Sequence, residues 1–80
     1  MDRDIKQGLL LIIKEILPAR DLTLLNPDQP LANQLELGSI DFFDIILGVY
    51  NQYGLKVPEA DYPNFATLGS AVKYLELRLK

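Results

Sequence analysis

The sequence of 80 residues contains no cysteine and no histidine. Without cysteine the chain has no disulfide, no thiolate nucleophile and no cysteine-ligated zinc site. Without histidine it lacks the side chain that most often serves as general base and as metal ligand. We therefore expect no enzyme active site within the chain itself and no bound metal ion.

Long apolar runs are also missing. The run near the N-terminus, Leu9 to Ile13, has only five residues and is followed by Lys14 and Glu15. A membrane span or the apolar part of a secretion signal needs a longer run. We therefore expect a cytoplasmic protein without a membrane span. Its length predicts one small domain, residues 1–80, a monomer in which almost every apolar position contributes to the core.

Positive charge is absent from residues 21–55, where the net charge is −5. Residues 1–20 and residues 56–80 each sum to +1, so the total of −3 is concentrated in the middle of the chain. The acidic residues of this segment are Asp21, Asp28, Glu36, Asp41 and Asp44. Such a surface repels nucleic-acid phosphates, which excludes nucleic acid as an expected partner. It favours a protein partner with a basic surface.

Three segments have the apolar spacing of amphipathic helices. In residues 4–17 apolar side chains recur at i, i+4, i+7, i+8 and i+11, and Pro18 closes the segment. Residues 39–53 carry two apolar stripes, and Gly54 fits the C-cap. The last helix follows Thr67, a suitable N-cap residue.

Proline-rich segments connect these helices. Residues 18–38 contain three prolines and several leucines, which predicts a long loop that packs on the core. Pro58 at a first helical position predicts one short helix that Pro63 ends. The sequence thus predicts an all-α fold: a small four-helix bundle with three main helices, one short helix and a long first loop.

Ser39 stands where the first loop meets the second main helix, and two interpretations compete for it. As an N-cap residue it would only stabilise the helix start. As a modification site it would present an exposed hydroxyl, and a phosphate attached there would face the positive end of the helix. With no base nearby in sequence, Ser39 is a poor catalytic nucleophile.

Three blocks of the sequence, in order and at matching spacing, resemble the acyl carrier protein family. They are LELGSI at 35–40, IILGVYNQYGLKVP at 45–58 and FATLGSAVKYL at 65–75. The resemblance implies a 4′-phosphopantetheine arm on Ser39, transferred from coenzyme A by a phosphopantetheinyl transferase that uses magnesium. The thiol of the arm would carry acyl groups as thioesters for fatty-acid, lipid or polyketide biosynthesis. This would explain a chain without cysteine or histidine, because the cofactor brings the sulfur.

Some residues depart from the family pattern. Gly38 replaces the aspartate before the serine, and Glu36 replaces a glycine. Family members often carry several acidic residues along the second main helix. This chain has fewer of them, and aromatic residues replace some, which indicates a specialised carrier. The resemblance implies docking of the transferase and of acyl-transferring or condensing enzymes with basic and apolar surfaces. The expected docking residues are Glu36, Ile40, Asp41, Phe42, Asp44 and Tyr50.

Alternatives remain at this stage. Phe42 and Tyr50 could be core residues, because a small domain needs aromatic side chains inside. Gly38 keeps open the possibility of an unmodified interaction module that retains the fold and has lost the arm. A peptidyl or aminoacyl carrier of a nonribosomal pathway is a further alternative.

Overall fold

The computed structural model describes residues 4–79 and shows an arrangement of five helices in this range. They are α1 (Asp4–Ile16), α2 (Leu31–Leu35), α3 (Ser39–Tyr53), a 3₁₀ helix (Glu59–Phe65) and α4 (Leu68–Arg78). The predicted all-α fold and its three main helices are confirmed. Gly54 ends α3 in the left-handed conformation, with φ of 69°, as its C-cap assignment predicts.

Two details of the connecting segments differ from the prediction. The first loop contains a short helix, α2, because Leu31 and Leu35 lie one turn apart and both are buried. The helix after Pro58 does not end at Pro63 but continues to Phe65. The fixed φ of proline suits a 3₁₀ helix, and the Pro63 carbonyl still accepts a hydrogen bond from the Ala66 N–H at 3.1 Å.

The core is built from every helix and is deepest where α1, α3 and α4 meet. Its most buried large side chains are Leu9, Ile13, Val49 and Leu75. Five of the six leucines of the first loop pack on this core, as predicted: Leu31 and Leu35 are buried, and Leu22, Leu25 and Leu37 are half-buried. Leu24 does not, since it is 84% exposed. Among residues 4–79, no helix combines the length and the apolar character that crossing a bilayer requires.

The first loop is fixed to the start of α4 by backbone hydrogen bonds. The Leu31 N–H donates to the Ala66 carbonyl at 2.8 Å, and the Gly69 N–H donates to the Pro27 carbonyl at 2.9 Å. Thr67 caps α4 as predicted, since its Oγ1 accepts from the Ser70 N–H at 3.1 Å. The segment that leads to Ser39 is therefore held against a fixed helix end.

Asp61 holds the 3₁₀ helix against α4. The Tyr74 hydroxyl donates to Asp61 Oδ2 at 2.7 Å, and the Arg78 guanidinium donates to the same oxygen at 3.1 Å. Burial raises the pKa of Tyr74 above its ordinary value of 10.0, and the hydrogen bond to Asp61 acts in the same direction. The stability that this neutral phenol contributes is complete below pH 10 and is lost as pH rises through the raised pKa.

α1 and α3 approach closely at Gly48. A Cβ atom built on Gly48 would lie 2.5 Å from Ile12 Cγ2. Alanine in a helix interior is normally about 1 kcal/mol more favourable than glycine. Here we expect Gly48→Ala to lower the free energy of unfolding, measured with urea, by about 1–3 kcal/mol, because the added methyl overpacks the interface.

The matched background is Ile12→Ala, which removes the obstructing methyl. In that background Gly48→Ala should be much less destabilising, because the two side chains share one space. Stabilisation by Gly48→Ala in the natural background would contradict the close approach.

Candidate functional site

Ser39 is the first residue of α3, and its hydroxyl does not cap the helix. The N-cap position belongs to Gly38, which has extended backbone angles of −90° and 177°. The Gly38 N–H donates to Asp41 Oδ2 at 3.3 Å, so the carboxylate of Asp41 closes the first turn instead. The N-cap interpretation of Ser39 is therefore wrong, and its side chain has no role in starting the helix.

The chain has two serines, and their hydroxyls are in opposite situations. Ser70 Oγ donates to the Asn64 carbonyl at 2.6 Å and accepts from Thr67 Oγ1 at 2.8 Å. Ser39 is exposed, and within residues 4–79 its hydroxyl has no hydrogen-bond partner. Ser39 is thus the serine whose oxygen another protein can reach.

A groove of about 340 Å³ lies beside Ser39. It is lined by the first loop, by the start of α3 and by the end of the 3₁₀ helix. Its lining residues are Pro30, Leu31, Ala32, Leu37, Gly38, Ser39, Phe42, Phe43, Phe65 and Ala66. The groove is apolar, so it can cover an apolar part of a group attached to Ser39.

The outer face of α3 is also apolar, although it is exposed. Ile40 is 76% exposed, Phe43 54%, Leu47 55% and Tyr50 45%. These residues follow one another at three- or four-residue spacing, so they share one side of the helix. We call them the α3 outer stripe. Tyr50 is therefore a surface residue, and the alternative that placed it in the core is wrong.

Phe42 has a different environment. It is half-buried against the core, with its ring edge-on to Phe43 at 6.3 Å and to Tyr62 at 5.5 Å between centroids. The Phe43 and Tyr62 rings are 5.9 Å apart, so the three rings pack mutually between α3 and the 3₁₀ helix. The core interpretation of Phe42 is therefore the better one.

A second, larger groove of about 650 Å³ lies beside the part of α3 from Phe43 to Tyr50. Its lining residues are Phe43, Ile46, Leu47 and Tyr50 from α3 and Lys56, Val57, Pro58 and Tyr62 from the following segment. We call it the Lys56 groove. Sequence reasoning did not find it. The apolar stripe pointed to Phe43 and Leu47, but no local signal places Lys56 and Tyr62 opposite them.

Two of the three acidic residues that the sequence predicts for docking already have partners within the fold. Glu36 is exposed but paired with Arg20, whose guanidinium lies 3.1 Å from Glu36 Oε1. Asp41 is half-buried and bonded to the Gly38 N–H. Asp44 is exposed. Arg20 precedes the segment that lacks cations, so the negative surface near Ser39 is weaker than the sequence charge indicated.

Glu36 also has an unusual backbone. Its φ is 54°, in the left-handed region, where it ends α2 and sends the chain towards Ser39. A residue with a side chain is held there at a cost of roughly 1–2 kcal/mol. Glycine adopts this backbone conformation without strain, but glutamate occupies the position here.

Comparison with known proteins shows a family and several curated proteins to which this chain is similar. A family model described as "Phosphopantetheine attachment site" matches residues 7–75. An acyl carrier protein of Acidothermus cellulolyticus is 26% identical over 74 residues, 90% of this chain and 84% of that protein. The acyl carrier protein of Thermotoga maritima is 29% identical over 59 residues, 74% of this chain and 73% of its own. A meromycolate extension acyl carrier protein of Mycolicibacterium aurum is 26% identical over 74 residues, 92% and 75% of the two chains.

Proposed function

We propose a function for this chain from its family. The chain belongs to the acyl carrier protein family, the group with a phosphopantetheine attachment site. It is a carrier, and Ser39 is the residue that bears its 4′-phosphopantetheine arm. The observation that supports this assignment best is the free, exposed hydroxyl of Ser39 at the start of α3, within the segment that the family model matches. The other serine, Ser70, has its hydroxyl bonded within the fold.

The residues around Ser39 fit the arm. A phosphate on Ser39 would face the N–H groups of the first turn of α3, where a helix of 15 residues favours negative charge. The apolar groove of about 340 Å³ is lined in part by Ser39 and gives the chain that follows the phosphate a surface to contact. When bound, the arm supplies a thiol that holds an acyl group as a thioester.

The chain's own residues contribute attachment and presentation. The nearest carboxylate in sequence, Asp41, accepts from the Gly38 N–H, so it orders the helix start. We therefore assign the proton-accepting group and the magnesium of the loading reaction to the transferase. The protein acts as a substrate of the transferase and as a non-catalytic carrier for acyl-transferring or condensing enzymes.

The expected pathway is fatty-acid, lipid or polyketide biosynthesis in the cytoplasm. The name of the Mycolicibacterium aurum relative refers to meromycolate extension, which concerns that protein. A second candidate is supported by Gly38, which stands where the family has an aspartate: an interaction module that is never modified.

Intact mass separates these functions. The purified chain is incubated with coenzyme A, magnesium and a broad-specificity transferase, and the chain isolated from its native host is weighed beside it. A gain of one phosphopantetheine in both samples is the expected result. A host protein of unmodified mass that also resists loading in vitro would establish the interaction module instead.

Gly38 gives a prediction about loading. A Cβ on Gly38 meets nothing within 4 Å, so aspartate fits there without a clash. We expect Gly38→Asp to load faster with a broad-specificity transferase, because a carboxylate beside Ser39 adds a charge-assisted contact to the transferase and its metal ion. The measurement is the initial rate of loading.

The matched control is Gly38→Asn, which can cap α3 equally well without charge. If asparagine accelerates loading as much as aspartate does, the effect comes from helix capping. Loading that is equal or slower for Gly38→Asp across several transferases would show that Gly38 is not the limiting residue.

A further inference from the structure

Glu36 is the one residue other than glycine that has a positive φ among residues 4–79. Its φ of 54° and ψ of 48° turn the chain at the end of α2, where the N–H groups of Glu36 and Leu37 both donate to the Ala32 carbonyl. The left-handed region disfavours a residue with a side chain by a factor of roughly 5–30. Strained backbone of this kind persists only where neighbouring contacts hold it.

The turn at Glu36 sets the direction in which the chain reaches Ser39. Residues on both sides of the turn line the groove beside Ser39: Leu31 and Ala32 before it, Leu37 and Gly38 after it. Because only two residues separate Glu36 from Ser39, a change in the φ and ψ of Glu36 would move the serine hydroxyl relative to the groove wall. The backbone conformation of Glu36 therefore controls how Ser39 is presented.

An ion pair with Arg20 holds the Glu36 side chain. The Arg20 guanidinium lies 3.1 Å from Glu36 Oε1. Arg20 is itself held just after the end of α1, because its N–H donates to the Leu17 carbonyl at 3.1 Å and its carbonyl accepts from Lys14 Nζ at 3.1 Å. The ion pair thus joins the end of α1 to the end of α2 and closes the loop between them.

This ion pair offsets only part of the strain. Its side chains are 40% and 77% exposed, and an exposed pair shifts an equilibrium by about 1.5- to 5-fold. α2 has only five residues, so its own hydrogen bonds stabilise its end weakly. Fluctuations that open the turn at Glu36 therefore have a low free-energy cost, and loss of the ion pair would make them more frequent.

We propose that Arg20 and Glu36 are positioning residues for the loading of Ser39: their ion pair holds the left-handed turn, and the turn holds the serine in the orientation that the transferase binds. The Glu36 carboxylate acts on the backbone of its own chain and does not contact the transferase. Glycine at position 36 would keep the same turn without a partner. This inference rests on the proposed carrier function and extends the loading site to the start of the first loop.

The first test is amide hydrogen exchange of the unmodified chain at low salt, which measures how often the turn opens. Arg20→Gln should lower the protection of the Leu37 N–H about two- to five-fold, the range that one exposed ion pair contributes. Lys73→Gln is the matched control, because Lys73 is an exposed cation on α4, and it should leave this protection unchanged. In a chain that carries Glu36→Gly, Arg20→Gln should have no effect, since the two residues share one interaction.

The second test is steady-state loading of the same variants with coenzyme A, magnesium and a broad-specificity transferase. A binding-competent state that is only partly populated weakens apparent binding in proportion to its fraction, so Arg20→Gln should raise KM about two- to five-fold and leave kcat unchanged. Charge alone predicts the opposite, because removing a cation makes the chain more attractive to a basic partner. Adding Glu36→Gly to Arg20→Gln should restore KM, and Lys73→Gln should load like the natural chain.

Glu36→Gln and Glu36→Gly form a matched pair. Both remove the carboxylate, but only glutamine keeps a side chain in the left-handed region. Glu36→Gln should therefore raise KM as much as Arg20→Gln does, while Glu36→Gly should load at least as well as the natural chain. Helical circular dichroism of each variant checks that the fold is retained.

Two results would overturn the proposal. Glu36→Gly and Glu36→Gln that load equally slowly would show that the carboxylate contacts the transferase directly. A KM that Arg20→Gln leaves unchanged or lowers would show that the ion pair has no positioning role. In both cases the natural chain still gains the arm by intact mass, whereas a natural chain that gains none would refute the carrier function itself.

Discussion

Ser39→Ala is expected to abolish incorporation of labelled pantetheine from coenzyme A and to leave the fold intact. The hydroxyl is exposed and starts no helix, since Gly38 is the N-cap and Asp41 closes the first turn. Removing such a group changes stability by less than about 0.5 kcal/mol. The measurements are label incorporation with a transferase and the helical circular dichroism of the unloaded protein.

Ser70→Ala is the matched control, because it removes the only other serine hydroxyl. It should load normally but lose about 1 kcal/mol of stability, since its hydroxyl bonds the Asn64 carbonyl and Thr67 Oγ1. Label retained on Ser39→Ala would disprove the attachment site. Label lost only on Ser70→Ala would move the site to the start of α4.

The sequence predicted helix positions correctly where the spacing of apolar residues agreed with the residues that cap or end a helix. α1 ends just before Pro18, α3 ends at Gly54, and Thr67 caps α4. It missed α2 because five residues are too few to show a period, and the helix depends on burial of Leu31 and Leu35. One of its two interpretations of Ser39 was the N-cap, because composition alone cannot show that a carboxylate at Asp41 reaches back to Gly38.

The candidate site was predictable only in part. Ser39 could be found from sequence because its neighbours form recognisable blocks. The roles of Phe42 and Tyr50 could not be separated, because both stripes of α3 are apolar and only packing decides which one faces the core. The Lys56 groove depends on how residues 55–58 return along α3, which no local pattern encodes.

Phe42 and Tyr50 should therefore respond in opposite ways to truncation. A buried phenylalanine cut to alanine costs roughly 3–5 kcal/mol, so for the half-buried Phe42 we expect a loss of about 2 kcal/mol in the free energy of unfolding. The lost contacts include the edge-on packing with Tyr62 at 5.5 Å. Tyr50→Ala should change stability by less than about 0.5 kcal/mol, because the residue lies on the surface and is 45% exposed. Urea unfolding of both variants measures the difference.

For partner binding, we expect Tyr50→Ala to have the larger effect and Phe42→Ala the smaller one. Buried aromatic anchors at the centre of an interface contribute at least about 2 kcal/mol, so Tyr50→Ala should bind the phosphopantetheinyl transferase about 30-fold more weakly while remaining folded. Of the two acids on α3, Asp41 is half-buried and Asp44 is exposed, so raising the salt concentration should weaken binding only slightly. Phe42→Ala, studied at a temperature where it is still folded, should bind within a few-fold of the natural chain. If Tyr50→Ala binds normally, or if added salt abolishes binding, aromatic docking is wrong and docking depends mainly on charge.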